Sequence, residues 1–197
     1  MSPSPGRPRR ASQELLQEAA FELFQLRGYR RTSVEQIART AGFSRATFFN
    51  FFSSKAELFW VETDALIDAL SGFLAAELDR EEPLGLRDAL LEHAGGMRSA
   101  EIPWALQHYR LIEAADDLIA SGASRVLGVN RLFADYLRRR DAGEGGEGGR
   151  AAIGGEARAA ELTALLIVAL RSWIDAGVER GRLRDHLERA FRTEAGL

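Results

Sequence analysis

The chain has 197 residues, 46% of them apolar, and a net charge of −3. That is enough apolar material for one large core or two small ones, without the low hydrophobicity and high charge of a disordered chain. It contains no cysteine, which excludes disulfides, thiolate metal sites and a cysteine nucleophile. The longest apolar run, Leu162 to Leu170, is far shorter than the roughly 20 residues that span a bilayer. The start, MSPSPGRPRR, has no apolar stretch to act as a secretory leader, so a cytoplasmic protein without a membrane partner is expected.

The charge is unevenly placed. Residues 1–55 carry nine basic side chains against four glutamates, a net +5, which leaves −8 for the remainder. A basic head on an acidic body is the asymmetry of a protein that meets phosphates at one end, although uneven solvated surfaces also occur.

Residues 1–11 combine three prolines, a glycine and the arginines Arg7, Arg9 and Arg10. This composition predicts a disordered basic arm, which can place arginines in a minor groove or simply aid solubility. From Ser12, the residues Leu16, Ala19, Ala20, Leu23 and Phe24 recur at helical spacing and Gly28 supplies a stop.

The stretch Thr32 to Lys55, TSVEQIARTAGFSRATFFNFFSSK, spells two short helices joined by a glycine turn. Thr32 is expected to cap the first, with Glu35 reaching back, while Val34, Ile37, Ala38 and Ala41 form its apolar face. Gly42 ends that helix, Phe43 fits a buried turn position, and Ser44 caps the second. On the second helix Ala46 and Phe49 are expected to face inward and Arg45, Thr47 and Asn50 outward. Arginine can bond guanine at two atoms, asparagine can do the same with adenine, and a threonine methyl can pack on thymine. Residues 12–54 therefore read as a helix-turn-helix domain that binds double-stranded DNA, with Ser33 on phosphate and Thr32, Ser44 and Phe48 counted in the same contact set. Ser54 and Glu57 form a further possible capping box, opening a long helix toward Arg80. Lys55, the sole lysine, sits in its first turn, the wrong sign for a helix N-terminus unless an anion lies there, which points to a phosphate contact.

With the preceding AAFELFQLRGY, the segment TSVEQIARTAGFSRATFFNFFSSKAELF resembles the DNA-binding domain of the TetR family of bacterial transcriptional regulators, over roughly the first third of the chain. The resemblance implies an all-α homodimer with an N-terminal DNA-binding domain and a larger C-terminal domain, residues 55–197, that holds a small-molecule effector. It also implies tyrosines at the positions of Phe49 and Phe51, where the first hydroxyl commonly bonds a phosphate. Phenylalanine cannot make that bond.

Beyond Pro83, helices are expected near Leu84 to Met97, Glu101 to Ala120, Ala123 to Arg140, Ala157 to Ala176 and Arg182 to Phe191, with breaks at Gly122 and Gly181. No run alternates as a strand would, so the fold class is all-α. Asp141 to Gly155 is glycine-rich and reads as a loop. Its Gly143, Gly145 and Gly148 match the letters of a dinucleotide fingerprint, but no strand precedes them and Glu144 and Glu147 would repel a pyrophosphate. His93, His108 and His186 share no metal-ligand spacing, and no nucleophile elbow, P-loop or kinase signature is present, so neither metal, cofactor nor enzymatic activity is expected.

The large apolar residues of this half are mostly core. Phe73, Met97, Trp104, Phe133 and Trp173, with the polar tips of His108, Tyr109 and Tyr136, have the composition of a pocket for an apolar effector. A head group bearing phosphates would need arginines such as Arg110, Arg131 or Arg138. Ala157 to Ala176 is apolar on two sides, Leu162, Leu165, Ala169 and Trp173 on one and Ile167, Leu170 and Ile174 on another. Such a helix needs two partners, one of which the resemblance identifies as a second subunit. The expectation is a repressor that binds a palindromic operator as a homodimer and is released by a hydrophobic small molecule. The alternative is a helical small-molecule carrier or sensor with a degenerated DNA-binding head.

Overall fold

The computed structural model describes residues 9–97, 103, 115–142 and 150–194. Eight α-helices and no strand occur among them: α1 (Arg9–Arg27), α2 (Val34–Thr40), α3 (Arg45–Phe49), α4 (Val61–Leu78), α5 (Leu86–Gly96), α6 (Ala115–Ala142), α7 (Arg150–Asp175) and α8 (Leu183–Glu194). None of the described helices is long and apolar enough to cross a membrane.

The residues fall into two units. Among those described, the first comprises 9–64, 103 and 115–122, so it extends past the expected boundary at Ser54; the second comprises 65–97, 123–142 and 150–194. In the first unit, α1 buries Leu16, Ala20, Leu23 and Phe24 on one stripe and ends at Gly28, whose φ of +81° suits glycine. Gly42, at φ +77°, closes α2 in the same way, and the Phe43 amide turns back to the Ala38 carbonyl at 2.7 Å. These stripes meet Tyr29, Ile37, Phe48, Phe52, Leu58, Phe59 and Trp60 in one core, which Leu118 of α6 joins. The second unit packs Leu70 and Leu74 of α4, Leu86 and Leu90 of α5, Phe133 and Tyr136 of α6, Leu162 and Trp173 of α7, and Leu187 and Phe191 of α8. Burying a large side chain of this kind is worth about 1.5–3 kcal/mol.

Several expectations need correction. Helix α1 begins at Arg9, so residues 9–11 are helical backbone rather than disordered arm. The long helix opens as a 3₁₀ turn, Lys55–Trp60, and the Ser54 side chain makes no capping bond. No break occurs at Gly122, where α6 runs straight through. A Cβ there would lie 2.9 Å from the Trp60 ring, so glycine serves the packing of that indole and not a turn. Helix α7 starts at Arg150, inside the segment expected to be a loop. Two glycines cost a helix about 1 kcal/mol each, less than the burial that Ala159 and Leu162 gain once the helix has formed.

Candidate functional site

Helices α2 and α3 are too short to hold together by themselves, and their ends show what fixes them. Ser33 Oγ accepts the Gln36 amide at 3.2 Å while Gln36 Oε1 accepts the Ser33 amide at 2.8 Å, a complete capping box. The cap is therefore Ser33, one residue later than expected, and the partner is Gln36 rather than Glu35. Thr32 is turned inward and buried, its hydroxyl donating to the Gly28 carbonyl at 2.9 Å, which makes it a support for the turn and removes it from the surface. Ser44 caps α3, accepting the Thr47 amide at 3.0 Å and bonding the Thr47 hydroxyl at 2.8 Å.

The rotation of α3 differs from the sequence expectation. Phe48 is 0% exposed and packs on Phe52, so it belongs to the core and not to the contact set. Phe49, expected inward, is 45% exposed, and Ala46 is exposed as well. With Phe48 and Phe52 inward, Arg45 and Asn50 project into solvent and Thr47 is half-buried. The Arg45 guanidinium lies 5.4 Å from the centroid of the Phe49 ring and 3.6 Å from the Glu35 carboxylate of α2. Arg45 at the start of the capped helix and Asn50 at its C-cap are thus accessible, with Thr47 half-buried between them.

Lys55 is differently placed from a phosphate ligand. Its ammonium donates to the Tyr29 carbonyl at 2.6 Å and the Thr32 carbonyl at 2.9 Å, and lies 3.8 Å from the centroid of the Tyr29 ring. Burial pulls its pKa down, and the nearby Asp117 carboxylate partly restores it. Burial also pushes the Tyr29 phenol far above its ordinary range, helped by a hydrogen bond to Asp117. Lys55, Tyr29 and Asp117 so form one polar cluster behind α2, with the Trp60 indole donating to Ser121 Oγ at 2.8 Å beside it. Arg9 and Arg10 contribute the first turn of α1, and Arg7 lies outside the described residues.

In the second unit, five of the residues expected at an effector site come together in one core: Phe133, Tyr136 and Trp173 are buried, with Phe73 and Met97 half-buried against them. Trp104, His108 and Tyr109 lie outside the described residues. The polar tips have internal partners. Tyr136 donates its hydroxyl to the Leu84 carbonyl at 2.7 Å, and the Trp173 indole donates to the Gly181 carbonyl at 3.0 Å. Burial raises the Tyr136 pKa. The ring of His93 stands 5.0 Å from that of Phe73, and burial lowers its pKa. Sequence reasoning missed Glu77, which is buried on α4 and accepts the Leu84 amide at 3.1 Å and Arg80 Nη1 at 2.7 Å; an i, i+3 acid–arginine pair ahead of a proline was the available hint. A groove of about 710 Å³ runs between α6 and α7, lined by charged and small residues including Arg131, Asp135, Arg138, Ile153 and Glu156. Arg138 is paired with Asp135.

Helix α7 keeps Ala159, Leu162, Ala169 and Trp173 for its own unit. Its opposite side exposes Ile153, Ala157, Ala160, Ala164, Ile167 and Val168. The second apolar face therefore centres on the alanines and Ile167, not on Leu170 and Ile174, which are half-buried against the core.

Residues 16–60 match the family model of bacterial regulatory proteins, tetR family. Over 142 residues the chain is 28% identical to the Mycobacterium tuberculosis protein named as the mycofactocin biosynthesis transcriptional regulator MftR, spanning 71% of this chain and 70% of that one. It is 33% identical over 141 residues to the HTH-type transcriptional regulator TcmR of Streptomyces glaucescens, 70% of this chain and 57% of the relative. Its fold is similar to the crystal structure of Thermus thermophilus FadR, a TetR-family transcriptional repressor in complex with lauroyl-CoA, at a TM-score of 0.57 and 27% identity, with 91% of each chain covered.

Proposed function

Because the chain belongs to the TetR family of bacterial transcriptional regulators, we propose that it binds a palindromic operator in the cytoplasm as a homodimer and is released by a hydrophobic small molecule. The observation that carries this reading is the set Arg45, Thr47 and Asn50 on the Ser44-capped helix α3 and its C-cap, with Arg45 and Asn50 exposed and Thr47 half-buried between them. A single five-residue helix reads too few bases for tight binding, so two subunits must read two half-sites. The exposed Ile153, Ala157, Ala160, Ala164, Ile167 and Val168 face of α7 is the surface suited to join them, since exposed apolar area of this kind gains by mutual burial.

In this reading Ser33 meets phosphate, Lys55 clamps the turn that presents α2, and Phe48 and Thr32 act through packing. The effector is apolar, a fatty-acyl or aromatic compound, held near Phe73, Met97, Phe133 and Trp173. The lauroyl-CoA bound by the Thermus relative supports that class. Release follows when the effector favours a state in which the two heads no longer match successive major grooves.

A mobility-shift titration against the region upstream of the gene, at two salt concentrations and with lauroyl-CoA, free fatty acids and aromatic acids added, tests the proposal. Expected are a specific complex that weakens with salt and dissolves with one of these compounds. A protein that binds the same compounds but no DNA would instead be the helical carrier.

A further inference from the structure

Phe49 is 45% exposed and has no hydroxyl to offer a phosphate, yet it stands among the residues proposed to face the bases. It lies one turn after Arg45 on α3, and its orientation is fixed from two sides. The ring meets Phe48 edge-on at 5.4 Å and 81°, and Phe48 is itself locked in the core, while the Arg45 guanidinium covers it from 5.4 Å. Glu35, 3.6 Å from Arg45, adds a carboxylate to this edge. A carboxylate repels phosphate oxygens, so the edge is suited to base edges more than to backbone. In the major groove the apolar group that base edges present is the 5-methyl of thymine.

Resting on the regulator reading above, we propose that Phe49 is a specificity-determining residue whose ring packs on the 5-methyl group of a thymine adjacent to the base taken by Arg45. The guanidinium and the ring then act as one unit that selects a thymine beside a guanine. A phenylalanine held in this way loses little side-chain freedom on docking.

The test uses the full-length protein and a duplex it selects from a randomised pool. Each thymine of that duplex is replaced in turn by deoxyuridine, which removes only the methyl group. One thymine per half-site is expected to show a loss of about fourfold in affinity, the value of one buried methyl, and that loss should vanish in Phe49→Ala. Because Phe49 is exposed, the variant should fold, and Phe49→Leu, which keeps an apolar body, should retain part of the thymine preference. Uniform insensitivity to deoxyuridine, a selected site without thymine beside the guanine, or a sensitivity that persists in Phe49→Ala would overturn the proposal while leaving operator binding intact. Selection of no duplex at all would overturn the regulator reading and this one with it.

Discussion

Replacing Lys55 by methionine separates two roles that the same residue could play. The side chain keeps most of its apolar stem and loses an ammonium that donates to two carbonyl oxygens, at 2.6 and 2.9 Å, and caps the Tyr29 ring at 3.8 Å. A hydrogen bond to a charged group is worth about 1.5–3 kcal/mol and a cation–π contact about 0.5–2 kcal/mol. Lys55 is only partly buried, so water competes for its charge, and the net loss is expected to be about 2–4 kcal/mol. In urea, with a slope of about 2 kcal/mol per molar, the midpoint should fall by about 1–2 M. A lysine spent on phosphate would behave oppositely. Its removal would leave the midpoint in place and make the salt dependence of operator affinity shallower by about one unit per subunit. Urea unfolding followed by circular dichroism, with operator titrations at several salt concentrations under folded conditions, reads both quantities. An unchanged midpoint with a shallower salt slope would refute the clamp.

Ile167→Glu should break the proposed dimer without unfolding the subunit, because Ile167 is exposed on α7; sedimentation at micromolar concentration should show monomer with an unchanged helical spectrum. Gly122→Ala gains about 1 kcal/mol of helix propensity but drives a Cβ to 2.9 Å from a Trp60 ring that is held by Ser121, at an overpacking cost of about 1–3 kcal/mol; a net loss of about 1 kcal/mol in chemical denaturation is expected. Partial burial holds the His93 pKa below its ordinary 6.5. On acidification the unfolded chain therefore takes up that proton first, so stability falls as pH drops from 6.5 toward the lowered folded value, and His93→Phe should flatten that part of a melting-temperature profile.

What the sequence revealed and what it hid follow from the kind of order involved. The apolar spacing of Leu16, Ala20, Leu23 and Phe24 and the punctuation by Gly28, Gly42 and Ser44 are local, and the corresponding elements appear where they were expected. The facing of α3 was not legible, because four phenylalanines in the five residues 48–52 satisfy either an inward Phe49 or an inward Phe48. Only the packing of Phe48 against Phe52 decides it. Lys55 misled for a related reason. Charge and position in the chain suggested an anion, whereas the carbonyls of Tyr29 and Thr32 come to it from residues more than 20 positions away. Gly122 looked like punctuation because glycine has two uses, and the choice between a turn and a close approach depends on a tryptophan 62 positions earlier. That Phe133 and Trp173 belong to an apolar core was legible as composition, but the internal partners of Tyr136 and Trp173 were not.

The contribution of α6 to the core around Trp60 bears on how such a protein can be taken apart. Leu118 completes that core, Asp117 receives the Tyr29 phenol and Ser121 receives the Trp60 indole, all from a stretch more than 50 residues downstream of Asp64. A fragment cut after Asp64 would carry every side chain proposed to read bases and still leave a hydrophobic hole and the Trp60 indole without its Ser121 acceptor. Chimeras that graft this head onto another regulator's body therefore need residues 115–122 to travel with it, together with the glycine that makes room for Trp60. The transplantable module is discontinuous, and gene fusions designed on the N-terminal segment alone should yield proteins that aggregate or bind DNA poorly for reasons unrelated to α3.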